Sequence, residues 1–448
     1  MKVTGKHISI NAAWTLLFKS FGAISSILVT IMLTRVLPAS EMGYFLLAQS
    51  YAVFFAMLAR LGMKQPVVKL IAESLSKNEL KKIRGVIYSA ALIIFVWFTI
   101  IIAFLWSYCG QWLFETLLSA KKLYESRLEW SLLILIIAYQ VPIAESFRGF
   151  HNIKLAALFD GPLGNFFLLA TLVIIYIRGV NISFEIALLV LFCSFLLSCV
   201  FGVIELIKIL RKIPGGGGVY PIKDLLKEGI PILIVNITTY ITDQSGVWIC
   251  GAFLPPDKTA ILGATLKLVL IISLPLFVLN MVIQPVIVHL HSQGRKRELE
   301  KKIRISTTIA TIPSLLICII FVAHSHEILE MGFGVKYIDG SPALIILAVA
   351  QLVNVWAGPC INFMLLVGNR LLVTAIILFV SAGSGLWALY LVKEYGINGV
   401  ALASAVGIIT QNILVWLLTI KLTEISTHSY SNPLFLYKLL IAQVRKPQ

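Results

Sequence analysis

Glu145 and Arg148 stand an i,i+3 step apart at the end of a long apolar run, with Lys154 and Asp160 just beyond. Opposite charges at that spacing share a helix face. They suit a cytoplasmic gate whose charges exchange partners, and static loop salt bridges explain them nearly as well. Lys19 is a different case, because it lies about eleven residues inside an apolar stretch. At 1.5 Å per residue its ammonium would sit roughly 16 Å deep, where a lysine costs about 2.5–3.5 kcal/mol. Such a cation is expected to face a polar cavity rather than hydrocarbon. Arg60 lies about eighteen residues into the next stretch and reads equally as a headgroup anchor or a cavity residue. Asp243 and Lys267 fall on successive stretches at comparable depth in the outer half of the membrane. They could pair with each other or line the cavity.

The candidate substrate-binding cavity is therefore Lys19, Arg60, Lys267 and Asp243, and the candidate cytoplasmic gate is Glu145, Arg148 and Asp160. Three embedded cations face two embedded anions, Asp160 and Asp243. That excess favours an anionic ligand such as a phosphate group. The spans also carry Asn236, Gln244, Asn280, Gln284, Asn354, Asn362, Gln411 and Asn412. Amides can serve sugar hydroxyls or bond helix to helix, and the second use is commoner. No metal site is expected, since the pairs His289/His291 and His324/His326 lack Cys or carboxylate partners at ligand spacing. There is no GxSxG, no HExxH and no GxxxxGK[ST], so neither a hydrolase nor an ATPase is implied. The six cysteines form no CxxC pair and read as small core residues.

The elements that must position these groups are membrane helices. The 448 residues are 59% hydrophobic and 13% charged, about half the charge of a soluble domain. Val86–Trp106, Ile305–Ala323 and Pro342–Gly368 contain no Asp, Glu, Lys or Arg. Each is long enough to cross the hydrocarbon layer, and the alternation of a transmembrane barrel is absent. Twelve spans are predicted, over 8–36, 42–68, 85–109, 130–150, 155–177, 184–207, 229–253, 260–288, 304–324, 342–367, 371–392 and 398–420. The first is too long for a cleavable signal and is expected to stay as helix one. With the N-terminus inside, 26 of the 37 Lys and Arg fall on the cytoplasmic side and eight outside. The positive-inside rule then puts both termini in the cytoplasm, and it accounts for the net charge of +16 without nucleic acid. The basic connections Lys77–Arg84 and Arg295–Arg304 read mainly as anchors to anionic headgroups.

The chain reads as two pseudo-repeated halves. Leu37-Pro38 and Leu254-Pro255 each close a span, and Asn152 and Asn369 occupy equivalent loops, both pairs 217 residues apart. The expected organisation is a six-helix lobe over 1–210, a cytoplasmic linker over 211–228 containing four consecutive glycines, a second six-helix lobe over 229–421, and a cytoplasmic interfacial tail over 422–448. In that tail Asn432–Arg445 reads as an interfacial helix. An all-α integral membrane protein of this plan is a transporter plan.

Four stretches carry a resemblance: TRVLPASEMGYFLLAQSY, ESFRGFHNIKLAALFD, KEGIPILIVN and NGVALASAVG. Together with the spacing of the spans, they are similar to the Wzx-type O-antigen flippases of the multidrug/oligosaccharidyl-lipid/polysaccharide exporter superfamily. The resemblance implies a bacterial inner-membrane protein of two six-helix lobes. Such a protein would move an undecaprenyl-pyrophosphate-linked oligosaccharide from the cytoplasmic to the periplasmic leaflet by alternating access through a basic central cavity. The polysaccharide polymerase machinery would be a further partner. No cofactor and no enzymatic activity are implied, and a coupling ion is left open. The alternatives are a cation-coupled multidrug exporter, a peptidoglycan-precursor flippase, which commonly has extra spans, and a membrane polymerase or ligase. Outer connections no longer than Gly110–Glu129 and His324–Ser341 weigh against the last.

Overall fold

The computed structural model describes residues 5–214 and 220–430, with side chains from Trp14 onward and without that of Leu117. The four-glycine linker and the expected interfacial helix Asn432–Arg445 lie outside the described residues. Helices dominate throughout, with no strand among the described residues. Eleven are long and apolar enough to cross a membrane. The last, Arg370–Thr423, has Gly396 at φ 55°, ψ −134°, a conformation outside the helical region, so it is two helices in succession. Counting both matches the twelve predicted spans.

The chain forms two compact units, Met1–Gly263 and Ala264–Gln448. In the first, α1 (Gly5–Val36), α2 (Ala39–Arg60), α3 (Lys64–Ser76), α4 (Leu80–Leu105), α5 (Tyr108–Trp112) and α6 (Lys121–Glu125) are followed by α7 (Arg127–Gly149), α8 (Ile153–Phe159), α9 (Pro162–Ile177), α10 (Phe184–Arg211) and α11 (Ile222–Phe253). Helix α12 (Pro256–Ser292) leads into the second unit. There follow α13 (Lys296–Ala323), α14 (Ser325–Phe333), α15 (Ser341–Ala357), α16 (Cys360–Val367) and α17 (Arg370–Thr423). Helix ends repeat at the spacing seen in the sequence. Val36 to Phe253, Ala39 to Pro256, Tyr108 to Ser325 and Ile153 to Arg370 are each 217 residues. The outer connections Gly110–Glu129 and His324–Ser341 are folded as short helices, and Phe114 of the first is buried against Tyr51, Phe55 and Trp130.

Helices α2 and α7 are the centre of the first unit. About two-thirds of their apolar window is buried, against 28% for α1 and α4, whose exposed Leu, Ile and Phe suit contact with lipid. Indole Nε1 of Trp130 donates to the carbonyl of Ala48 at 2.8 Å, joining the two. Arg84, read from sequence as a headgroup anchor, instead donates to the carbonyls of Leu210 and Ile213 at 2.7 and 3.1 Å. A guanidinium there satisfies the open carbonyls and the negative end of α10. The cysteines divide: Cys199, Cys250, Cys318 and Cys360 are core residues, whereas Cys109 and Cys193 are exposed.

Three predicted spans are interrupted. Span two stops at Arg60, where Leu61 and Gly62 take φ of 44° and 73° before α3 begins. Span five breaks at Asp160-Gly161, with Gly161 at φ 124° and Pro162 opening α9. Span ten breaks at Gly358-Pro359, with Gly358 at φ 74°. The hydropathy of the flanking residues outweighed these breaks, although Arg60, Lys64 and Asp160 stand at two of them, because hydropathy records burial in an apolar medium and not helical continuity.

In the second unit, the segment after α17 folds back as a strap. Oγ1 of Thr427 donates to the carbonyl of Ala357 at 2.8 Å, and Oγ1 of Thr307 donates to the carbonyl of Thr427 at 3.0 Å. The amide of Ser429 donates to Trp356 at 3.0 Å, and Arg304 lies 4.0 Å over the Tyr430 ring. Indole Nε1 of Trp416 donates to Nδ1 of His428 at 3.1 Å, which requires that nitrogen unprotonated. Burial, and then the Arg304 guanidinium, hold His428 below the usual imidazole value. The unfolded chain therefore takes this proton first as pH falls. The strap's contribution is complete above the unfolded value of 6.5 and is lost as pH drops through the folded one. Thermal unfolding followed by tryptophan fluorescence should show lower stability at about pH 5.5 than at about pH 7.5, and His428→Gln should reduce that difference.

Candidate functional site

Two of the breaks in the first unit deliver charges to one place. Glu145 and Arg148 lie near the end of α7, beyond Pro142, where Oγ of Ser146 donates back to the Pro142 carbonyl at 2.8 Å. Glu145 is 1% exposed. Nη1 of Arg148 donates to its two carboxylate oxygens at 2.5 and 2.6 Å. Nη2 of Arg148 approaches Oδ2 of Asp160 at 3.6 Å, and Asp160 is at the α8–α9 break. Lys64, the first residue of α3, reaches Glu145 at 3.6 Å. Arg60, the last residue of α2, lies within the electrostatic reach of both carboxylates.

The three residues expected as a gate are thus brought together, and Arg60, expected in the cavity, joins them. Lys64 is the member that sequence reasoning missed. Its signals were its own charge inside the span predicted over 42–68 and the Leu61-Gly62 step before it, which the hydropathy of the span outweighed. Three cations and two carboxylates leave one positive charge in excess. Arg148, about a third exposed, and Lys64, about half exposed, are the donors an incoming anion could reach.

The break that positions Lys64 is fixed by a glycine contact. A Cβ on Gly62 would lie 2.0 Å from the carbonyl oxygen of Gly229, and one on Gly229 would lie 2.4 Å from that of Leu61. Only glycine at both positions lets α11 pass this turn. Nearby, Nζ of Lys69 binds Glu228 at 2.7 Å, and this bond raises the lysine's proton affinity above its usual value.

The other candidates stand apart. Lys19 is half-buried on α1, which packs against α8 and α9, and forms no ion pair among the described residues. Lys267 is on α12 in the second unit, half-buried and without an ion pair among the described residues of that unit. Asp243 is exposed on α11 in the first unit, so neither unit by itself contains the expected Asp243–Lys267 pair. Asp243 adjoins Tyr240, whose hydroxyl donates to the carbonyl of Ser50 at 2.9 Å, and Trp248, stacked 5.1 Å from Tyr51, lies on the same helix. Of the eight amides noted in the sequence, Asn280, Asn354, Asn362 and Asn412 line one cavity in the second unit. Among the described residues no three His, Cys, Asp or Glu side chains converge as a metal site.

This fold is the one built by transporters of the multidrug/oligosaccharidyl-lipid/polysaccharide exporter superfamily. The chain is similar to an inward-facing multidrug resistance MATE family transporter of that superfamily, with TM-score 0.72 and 16% identity over 92% of this chain and 97% of that one. It is also similar to the lipid II flippase MurJ in an inward closed conformation, with TM-score 0.69 and 14% identity over 97% and 93%. A third likeness is to a superfamily transporter from Pyrococcus furiosus whose binding pocket is described as reversed in polarity, with TM-score 0.61 and 14% identity over 92% and 94%. No curated protein matches in sequence. The chain belongs to the polysaccharide biosynthesis protein family, whose model matches residues 9–291. Family and fold together support a multi-pass membrane flippase or exporter.

Proposed function

We propose that the protein flips an undecaprenyl-pyrophosphate-linked oligosaccharide, an O-antigen or related repeat unit, from the cytoplasmic to the periplasmic leaflet of a bacterial inner membrane by alternating access. The observation that carries this reading is the cluster of Arg60, Lys64, Glu145, Arg148 and Asp160, where cations outnumber carboxylates beside two broken helices. A pyrophosphate can take over Arg148 and Lys64 as their carboxylate contacts loosen, so that binding and opening draw on the same charges. Lys19, without an ion pair among the described residues, adds a further cation for the same head group, and Lys267 is a second candidate. Membership of a polysaccharide biosynthesis family and likeness to a lipid II flippase point to the same substrate class.

One observation favours cationic-drug export instead. Asp243 is exposed beside the aromatic group of Tyr240, Trp248 and Tyr51, an arrangement that attracts organic cations. The excess of cations elsewhere in the spans opposes it. Mass spectrometry of undecaprenyl-linked lipids in a host deleted for the gene separates the two. Flipping predicts a complete lipid-linked repeat unit accumulating while surface polysaccharide is lost. Unchanged lipids and polysaccharide, in a host without a second flippase, would move drug export to the front.

A further inference from the structure

The second unit contains a cavity of about 220 Å³ between α12, the α15–α16 break and α17. At about 30 Å³ per water it holds roughly seven waters, room for one small ring rather than a chain of them. Its polar lining is Ser273, Asn280, Asn354, Asn362 and Asn412, and no charged side chain or histidine contributes. The protein has already taken several of the hydrogen-bond donors. Nδ2 of Asn354 donates to Oε1 of Gln351 at 3.0 Å, Nδ2 of Asn412 donates to the carbonyl of Ile408 at 2.9 Å, and the Ser273 hydroxyl donates to Leu270 at 3.0 Å. What remains is an uncharged, mixed set of amide oxygens and amide N–H donors. Oδ1 of Asn280 is buried without a partner, and Asn362 has no side-chain hydrogen bond among the described residues.

A buried acceptor without a donor is unfavourable, and four amides meeting at one cavity exceed what helix-to-helix bonding requires. Phosphate or carboxylate would enter with no cation in the lining to compensate its charge. A bare metal cation would find no carboxylate and far more room than an ion fills. The fitting ligand is neutral and rich in groups that both donate and accept, and it has an apolar face for Phe277 and Leu276, which share the lining. A pyranose ring has this character. The broken helix serves the cavity as well: irregular backbone at membrane depth is tolerated where it lines a polar space, and Gly358 lies on the wall. A Cβ there would fall 2.4 Å from the carbonyl oxygen of Thr427, so the strap holds the break in place.

We infer that this amide-lined cavity is a subsite for one uncharged sugar residue, recognised through hydroxyl or acetamido donors. The inference rests on the flippase reading above, and it assigns the head group's sugar to the second unit. The test compares two probes on the purified full chain in nanodiscs: undecaprenyl pyrophosphate carrying the host's oligosaccharide, and sugar-free undecaprenyl pyrophosphate. Asn280→Ala with Asn362→Ala should weaken binding of the first about tenfold, as expected for two lost neutral hydrogen bonds, and leave the second unchanged. Asn362→Ala alone loses no side-chain hydrogen bond among the described residues and keeps the test open should the pair fail to fold. Its expected effect is about threefold, again on the sugar-bearing lipid only. Undiminished binding of the sugar-bearing lipid by the variants would overturn the subsite. Equal weakening of both lipids would mark a structural or ion-holding role and overturn it too. If the unaltered protein bound neither lipid, the flippase reading itself would fall and this inference with it.

Discussion

Glu145→Ala is expected to lose transport and to destabilise the protein by about 3 kcal/mol. Truncating the carboxylate leaves Arg148 and Lys64 without their shared buried partner, and Asp160 is then the one carboxylate left within reach of Arg148 and Arg60. Breaking a buried pair by removing one partner typically costs about 3–5 kcal/mol. The lower end applies because a third of Arg148 stays exposed to solvent. The double variant Glu145→Ala with Arg148→Ala should recover part of the stability, since the uncompensated charge goes with its partner. It should not recover transport. Thermal unfolding of the detergent-purified variants reads the first effect and a leaflet-accessibility assay the second. A single variant with wild-type stability would show that Glu145 does not organise the cluster.

Gly62→Ala carries the other large effect. The side chain would have to adopt φ of 73° and place its Cβ 2.0 Å from the carbonyl oxygen of Gly229. A left-handed backbone costs a non-glycine residue about 1–2 kcal/mol, and overpacking against a fixed backbone about 1–3 more. A loss of about 3–4 kcal/mol is expected, a large fraction of a typical folding free energy. Little monodisperse protein should then survive extraction. Gly229→Ala should behave similarly, since its Cβ meets the Leu61 carbonyl. Gly332→Ala, with open space at the added Cβ, is the control and should be neutral or slightly stabilising.

The first of these sites was readable in the sequence and the second was not. Glu145, Arg148 and Asp160 could be grouped from spacing alone, because i,i+3 on one helix and a short turn leave the geometry few choices. Gly396 likewise fell at the predicted join between the last two spans. Arg60 could not be placed in the cluster, since that depends on Leu61, a non-glycine residue at φ 44°, ending α2 inside a predicted span. The Gly358-Pro359 and Gly161-Pro162 dipeptides were punctuation of the kind that ends helices, yet the hydropathy on both sides outweighed them. The amides were visible one by one. That four of the eight share a cavity is a product of tertiary packing, which no periodicity reports. The strap from Glu424 to Tyr430 is held by threonine, histidine and backbone contacts and has no apolar signature.

The central claim is that this protein carries a lipid-linked saccharide across a bilayer. Its most direct test is reconstitution of the purified full chain into proteoliposomes holding the host's undecaprenyl-pyrophosphate oligosaccharide in the inner leaflet, scored by a sugar-specific probe added outside. The account predicts time-dependent exposure of the saccharide with the unaltered protein and none with Glu145→Ala. Saccharide that stays inaccessible with folded, correctly reconstituted protein, under an imposed ion gradient as well as without one, would contradict it.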